Sequence, residues 1–330
     1  MRNLFAFIFM SFLVLPVYSL GIAPTLDNAT LSHTDKVEIV YVDEIGFPGS
    51  GDGQFYFPQD VYISFVGDIE TQLGDLFVAD TGNNRIQRLQ RNGIFSYQFG
   101  KFGSSSGQFN IPSGIVVDFN FYIYVADQEN NRIQKFDIRG NPVLEFGDYG
   151  KQNGQFIYPK GLALDTSGHV YVADSGNDRI QKFDSMGNFV EVIGGFGRGD
   201  GFFDSPFDVV VDQDGSIYVV DTGNNRIQKI DEYGKPVFSF GKAGKEKGEF
   251  NAPKGIAIDN KYIYVADSRN NRVQMFDKMG RFLYSFGARG YKKGELNNPT
   301  GITVSKNGEI YIADTDNQRI VKLKIFSSDN

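Results

Sequence analysis

The sequence predicts an all-β fold, a six-bladed β-propeller of four-stranded blades closed by pairing the N-terminal strand into the last blade. Three observations carry this prediction. First, an eight-residue phrase, Asp-Thr-Gly-Asn-Asn-Arg-Ile-Gln at 221–228, occurs in six related forms. Its Asp and Arg stand at Asp80 and Arg85, Asp127 and Arg132, Asp174 and Arg179, Asp221 and Arg226, Asp267 and Arg272, and Asp314 and Arg319. The steps between the Asp residues are 47, 47, 47, 46 and 47, and a fixed period of this size in β-type units marks a propeller or solenoid. Second, each complete unit holds four short strand signals, the content of a propeller blade. Third, the last unit runs out after three such signals, while an unmatched one precedes the first unit.

In chain order, Arg2 precedes an apolar run from Leu4 to Leu20 that is interrupted by Ser11 and Pro16 and ends in Val17-Tyr18-Ser19. It falls short of the ~20 residues that span a bilayer comfortably, so residues 1–19 read as a cleaved signal peptide in preference to a retained anchor. A secreted or cell-surface location follows. Residues 20–36 are a polar spacer, and Asn28-Ala29-Thr30 within it is an acceptor sequon for glycosylation. Residues 37–326 form the propeller and 327–330 a tail. Val37 to Ile45 is the orphan strand. It ends in the apolar–Gly pair that returns at Phe99-Gly100, Phe146-Gly147, Ile193-Gly194, Phe240-Gly241 and Phe286-Gly287.

Each unit then opens with a Gly-rich stretch that closes on an apolar anchor three residues before a proline. These are Phe55 and Pro58, Phe109 and Pro112, Phe156 and Pro159, Phe203 and Pro206, Phe250 and Pro253, and Leu296 and Pro299. In the second unit the four strands are expected at 114–118, 122–127, 132–137 and 142–146, bounded by Gly, Asn and Asp turn residues. The first two are nearly continuous apolar runs, which implies burial on both faces; the more polar third and fourth are expected nearer the rim. The first unit is longer, with 54 residues from Gly46 to Gly100 against 47 from Gly100 to Gly147, and the extra residues fall around 64–74. The last unit supplies strands near 301–304, 309–313 and 319–325. Val37 to Ile45 pairs beside the last of them and removes an unpaired edge.

Although 330 residues would hold two average domains, the array makes one closed domain. A net charge of -7 and a pI near 5.0 disfavour general nucleic-acid affinity. With no cysteine, disulfides, thiolate catalysis and Cys-ligated metals are all excluded.

These units resemble the NHL-repeat family of six-bladed propellers, whose pattern is Pro-x-Gly, an apolar strand, Tyr-Val-Ala-Asp and x-x-Asn-x-Arg-Ile; the likeness spans 37–326. What it implies for function is broad. Similar propellers act as RNA or protein binders attached to ubiquitin-ligase modules, as extracellular sensors, and as the zinc lyase that completes peptide amidation. The last needs several histidines, whereas this chain has His33 in the spacer and His169 in a turn. Both read as lone surface histidines. No Ser/His/Asp set can be assembled for the same reason.

Recurrence in every blade argues that the six Asp–Arg pairs are structural, each locking a four-residue hairpin loop. The anchors before the prolines read as plugs between blades. Two departures from the repeat are informative. Four blades have Gly114, Gly161, Gly255 and Gly301 ahead of the inner strand, but the first and fourth have Asp60 and Asp208. These blades are opposite in a six-bladed ring, so their carboxylates either cap local turns or face each other across the channel, where calcium with its oxygen shell is a candidate cofactor. The second departure is charge. Loops of the fifth and sixth blades carry Lys242, Lys245, Lys247, Lys254, Arg269, Arg289, Lys292 and Lys293 against Glu246, Glu249 and Glu295. The equivalent loop of the second blade has only Lys101, and that of the third sets Asp148 against Lys151. The expectation is an exported, non-catalytic, monomeric binding propeller that recognises a protein segment or acidic glycan through this basic sector. The alternative is a lyase or hydrolase with a channel cation held by oxygen ligands.

Overall fold

The computed structural model describes residues 37–68 and 73–327; the expected signal peptide, Asn28, His33 and residues 328–330 of the tail lie outside this range. The strands are β1 (Val37–Ile45), β2 (Asp60–Asp68), β3 (Leu73–Asp80), β4 (Arg85–Leu89) and β5 (Phe95–Phe99). The second blade holds β6 (Pro112–Val117), β7 (Ile123–Asp127), β8 (Arg132–Phe136) and β9 (Pro142–Phe146), and the third β10 (Pro159–Leu164), β11 (Val170–Asp174), β12 (Arg179–Phe183) and β13 (Phe189–Ile193). The fourth holds β14 (Asp208–Val211), β15 (Ile217–Asp221), β16 (Arg226–Ile230) and β17 (Pro236–Phe240), and the fifth β18 (Ile256–Ile258), β19 (Tyr262–Asp267), β20 (Arg272–Asp277) and β21 (Phe282–Phe286). The last supplies β22 (Pro299–Val304), β23 (Glu309–Asp314) and β24 (Arg319–Ser327), one residue past the expected boundary. These strands form six four-stranded antiparallel sheets.

Closure is as the pattern requires. The last sheet has the order β1-β24-β23-β22, and β1 pairs with β24 from Val37 opposite Ser327 to Ile45 opposite Ile320, with a bulge between Tyr41 and Asp43. Ile39 and Ile45 are buried by this pairing. The long first unit extends the β2–β3 hairpin, where Gly67 pairs with Gly74 and Asp68 with Leu73 beyond a register shift.

Burial follows the apolar pattern with one correction. Every residue of β6 and β7 is buried, and the fourth strand β9 alternates toward solvent. The third strand β8 is not near the rim: all five of its residues are buried, including Arg132, Gln134 and Lys135. Its polar residues fooled the hydropathy reading because they are consumed by a hydrogen-bond cluster that repeats around the ring.

In that cluster, the Asp at the end of the second strand accepts from an Asn three residues on, an Arg five on and a Gln seven on. For Asp127 the donors are Asn130 Nδ2 at 2.9 Å, Arg132 Nε at 2.9 Å, Gln134 Nε2 at 3.0 Å and the backbone N–H of Asn110 at 2.7 Å. The Arg and Gln then reach into the Gly-rich entry loop: Arg132 donates to the carbonyls of Ser105 and Gln108, and Gln134 Oε1 accepts from Gly107 N–H. The pair therefore locks its hairpin, as expected, and also staples the entry loop onto it. Such charge-assisted bonds in an enclosed site are stronger than neutral ones. Only the sixth blade departs, with Val321 in the Gln position.

Blades are joined by anchors and caps. Phe156 is fully buried among residues of the second and third blades, with its ring 5.4 Å from Phe183 and 6.5 Å from Phe146. A Cβ on Gly147 (φ +92) would stand 2.3 Å from the Phe156 ring, which is why glycine follows the apolar residue at the end of each fourth strand. The left-handed Asn131 of the second blade (φ 54) accepts from the N–H of Tyr158 of the third at 3.0 Å. Tyr158 itself has φ 52, a strained conformation for a residue ahead of proline, and that bond holds it there.

Candidate binding face and axial channel

The inner strands surround an axial channel with two different mouths. The entry loops and the hairpins between second and third strands share one face. Turns between first and second strands ring the other, a funnel of about 1560 Å³. There Asp118, Asp165, Asp212 and Asp259 recur around the opening. They are engaged locally: Asp165 accepts from the N–H groups of Ser167 and His169, from His169 Nδ1 at 2.9 Å and from Tyr171 Oη at 3.3 Å. His169 is thus a half-buried turn residue, held by an acid, rather than a free surface histidine.

The channel neck contains Asp60 and Asp208. Asp60 Oδ1 accepts from Val61 N–H at 2.8 Å and Oδ2 from Ile115 N–H of the second blade at 2.9 Å. Asp208 does the same with Val209 at 2.8 Å and Ile256 of the fifth blade at 3.0 Å. Each carboxylate therefore caps its own strand and bridges to the next blade. Two of the glycines elsewhere have a matching cause. A Cβ on Gly161 would lie 2.1 Å from Asp208 Oδ1, and one on Gly301 2.2 Å from Asp60 Oδ1. All four carboxylate oxygens are committed to amide donors, and no group of three His, Cys, Asp or Glu among the described residues is placed to hold a metal. Calcium, which collects six to eight oxygens, would need ligands beyond these two carboxylates.

Both carboxylates show some surface to the channel, but the ring of blades keeps bulk water away, and this burial raises their pKa values. Asp208 is pushed up to about 7. Asp60 lies well above the ordinary value, first from burial and then from the charge of Asp208 across the axis. The folded state therefore keeps a proton on Asp208 that the unfolded chain releases near pH ~4, so this residue's contribution to stability falls as pH rises from about 4 to about 7. Replacing Asp208 by Asn should flatten that part of the stability–pH curve, although it removes one of two amide acceptors. Urea titrations of both proteins across this window check it; parallel curves would refute it.

The basic residues occupy the other face. Lys242, Lys245, Lys247, Arg289, Lys292 and Lys293 are exposed on the entry loops of the fifth and sixth blades. Two of the interleaved acids are turned inward: Glu249 accepts from Glu246 N–H at 3.1 Å and Glu295 from Lys292 N–H at 3.0 Å. Glu249 also pairs with Lys242 at 3.2 Å. Lys254 and Arg269 sit apart from the loop lysines, at the channel mouth. They line a pocket of about 580 Å³ with Gln59, Lys160, Phe207 and Asp316.

Lys160 and Phe207 escaped the sequence reading. A signal was present, since the residue just before the Gly or Asp of each inner strand varies around the ring as Gln59, Ser113, Lys160, Phe207, Lys254 and Thr300. A proline precedes it in every blade. Lys160 Nζ lies 4.6 Å and Lys254 Nζ 5.5 Å from the centre of the Phe207 ring. Burial, then the charge of Lys254, pulls the Lys160 pKa down to about 8. Lys254 is lowered by burial and by Arg269, with Asp316 opposing.

This architecture defines a closed β-propeller with an axial channel whose two mouths are lined by different residues. The chain carries NHL repeats: the NHL repeat profile matches residues 156–183, 203–230, 250–276 and 296–323, within the third to sixth blades. A stretch of 86 residues, 26% of this chain, is 35% identical to the protein brain tumor of Drosophila melanogaster. The match covers 8% of that protein's length. Among solved structures, a protein of unknown function from Bacteroides thetaiotaomicron superposes with a TM-score of 0.66 at 16% identity, over 89% of this chain and 77% of that one. An auxiliary nutrient binding protein from Bacteroides ovatus gives 0.63 at 16% identity, over 89% and 78%. A streptogramin B lyase gives 0.57 at 16% identity, over 88% and 98%. At these identities the likeness is one of fold.

Proposed function

We propose that this protein is an exported, non-catalytic binding propeller that takes an acidic glycan on its entry-loop face. The observation that carries the reading is the grouping of cations on that face in the fifth and sixth blades, around a concave mouth. Exposed aromatics stand on entry loops of the same face, Tyr291 in the sixth blade beside the lysines and Phe102, Tyr149 and Phe196 in the second to fourth, each at least 70% exposed. Such rings can lie against the apolar faces of sugars, which favours a glycan over an acidic protein segment. A nutrient-binding relative in fold supports a binding role. Export rests on the signal peptide and is checked by N-terminal sequencing of the secreted protein, which should begin after Ser19.

Exposed charges act chiefly through steering and register, so binding should weaken as salt screens them beyond a Debye length of ~8 Å. Changing Lys245, Lys247, Lys292 and Lys293 together to Ser should abolish retention on a uronic-acid polysaccharide matrix at low salt. These side chains are solvated, and folding should be unchanged. Equal elution of variant and parent across a salt series would overturn the reading. Retention of the parent on an acidic peptide matrix alone would replace the glycan with a protein segment.

A further inference from the structure

We propose that the pocket at the cationic mouth binds a small oxyanion, the carboxylate or phosphate group of a compact acid, between Lys160 and Lys254 above Phe207. This rests on the reading of that face as the binding face and names a second, smaller ligand for its centre.

The argument begins from what the two lysines lack. Each is partly buried, both pack against one aromatic ring, and neither forms an ion pair among the described residues. Lys254 has one weak acceptor, Asn298 Oδ1 at 3.4 Å. Buried cations are normally paired, because removing an ammonium from water costs free energy that only an opposite charge or several hydrogen bonds return. Lys254 compounds the desolvation of Lys160; for Lys254 the charge of Asp316 offsets burial in part while Arg269 adds to it.

Two other lysines of this propeller, Lys135 and Lys278, show the contrast. Lys135 donates to the carbonyl of Ser185 at 2.9 Å and Lys278 pairs with Asp212 at 2.9 Å. The one acid on the pocket wall, Asp316, is exposed and accepts from Asn298 Nδ2 at 3.2 Å. The neck carboxylates face the channel with their oxygens held by amides. A pocket of about 580 Å³ lies within the ~300–1,000 Å³ of small-molecule sites, so the acid fits with the rest of its molecule. Both ammonium groups lie over the Phe207 ring, which offsets part of their charge without neutralising it.

Isothermal titration of the full-length protein with inorganic phosphate in one arm and citrate in the other tests this. One saturable site per chain is expected in at least one arm, and which arm responds tells phosphate from carboxylate. The Lys160→Gln, Lys254→Gln double variant should bind at least tenfold more weakly. A Phe207→Leu variant, with its apolar packing retained, should bind more weakly than the parent. Affinity should fall as pH rises past about 8, where the free pocket loses the Lys160 proton. The fourfold Lys→Ser variant of the loop lysines should keep its affinity, since those residues lie outside the pocket. Silence in both arms for the parent, or equal affinity in the double variant, would overturn the proposal. Polysaccharide retention reports the loops and titration reports the pocket, so either reading can fail alone.

Discussion

Replacing Asp221 by Ala should destabilise the protein by about 3–5 kcal/mol, more than any single change on the loop surface, because it breaks an ion pair from its fully enclosed side. Asp221 has no exposed surface. It accepts from Asp204 N–H at 2.8 Å, Asn224 Nδ2 at 3.0 Å, Arg226 Nε at 2.7 Å and Gln228 Nε2 at 3.0 Å. Without it four donors lose their acceptor, and one of them carries a charge. Arg226→Ala should cost less, about 1–3 kcal/mol, since three donors still satisfy Asp221 while the carbonyls of Gly199 and Phe202 lose a partner. Urea unfolding followed by circular dichroism should give that order. Both variants should retain ligand binding in the folded fraction, because the cluster lies beneath the entry loop and lines no pocket. A reversed order would show that the Arg–carbonyl staple, rather than the acid, dominates the hairpin.

The same cluster shows what the sequence made legible. The period of the Asp–Arg pairs, the anchors before proline and the missing fourth strand of the last unit are chain-local facts, and each maps onto a structural necessity: an internal salt bridge, an inter-blade plug, an open edge. The β1 boundaries were readable to the residue for that reason. What hydropathy could not show was the burial of β8, because Arg132, Gln134 and Lys135 look solvated until their acceptors are known. Beside Asp127, those acceptors lie in the entry loop, 24 to 27 residues upstream for Arg132 and Gln134, and in the next blade for Lys135.

The site was half legible by the same logic. Asp60 and Asp208 stood out because they break a glycine position, but whether they face a ligand or bridge to Ile115 and Ile256 depends on the blade-to-blade offset. No single repeat encodes that offset. Lys160 went unseen because its neighbours are ordinary; only ring closure sets it beside Phe207 and near Lys254. A ring brings the same position of successive repeats together, so variation at an inward-facing repeat position can build a channel site.

A chain beginning at Gly46, without Val37 to Ile45, should lose its closed form. Strand β24 would become a nine-residue free edge, and such edges pair with other chains. Ile39 packs with Leu323 in one core cluster and Ile45 with Ile320 and Tyr311 in another. Burying such a side chain is worth about 1.5–3 kcal/mol, so losing the two, with a ladder that also seats Glu44 on Arg319, should lower the melting temperature by about 10 °C or more. The truncated protein should associate in a concentration-dependent way by light scattering. The design contains its own control. Val37 stands opposite Ser327 in an antiparallel pair, so the nine residues moved to the C-terminus behind a short turn would re-enter the same slot as an ordinary hairpin. That permuted chain should recover monomeric behaviour and most of the lost melting temperature. If the truncated protein remains monomeric with unchanged melting, the pairing contributes nothing to closure; if the permuted chain fails to recover, the segment acts through its position in the chain rather than through β24.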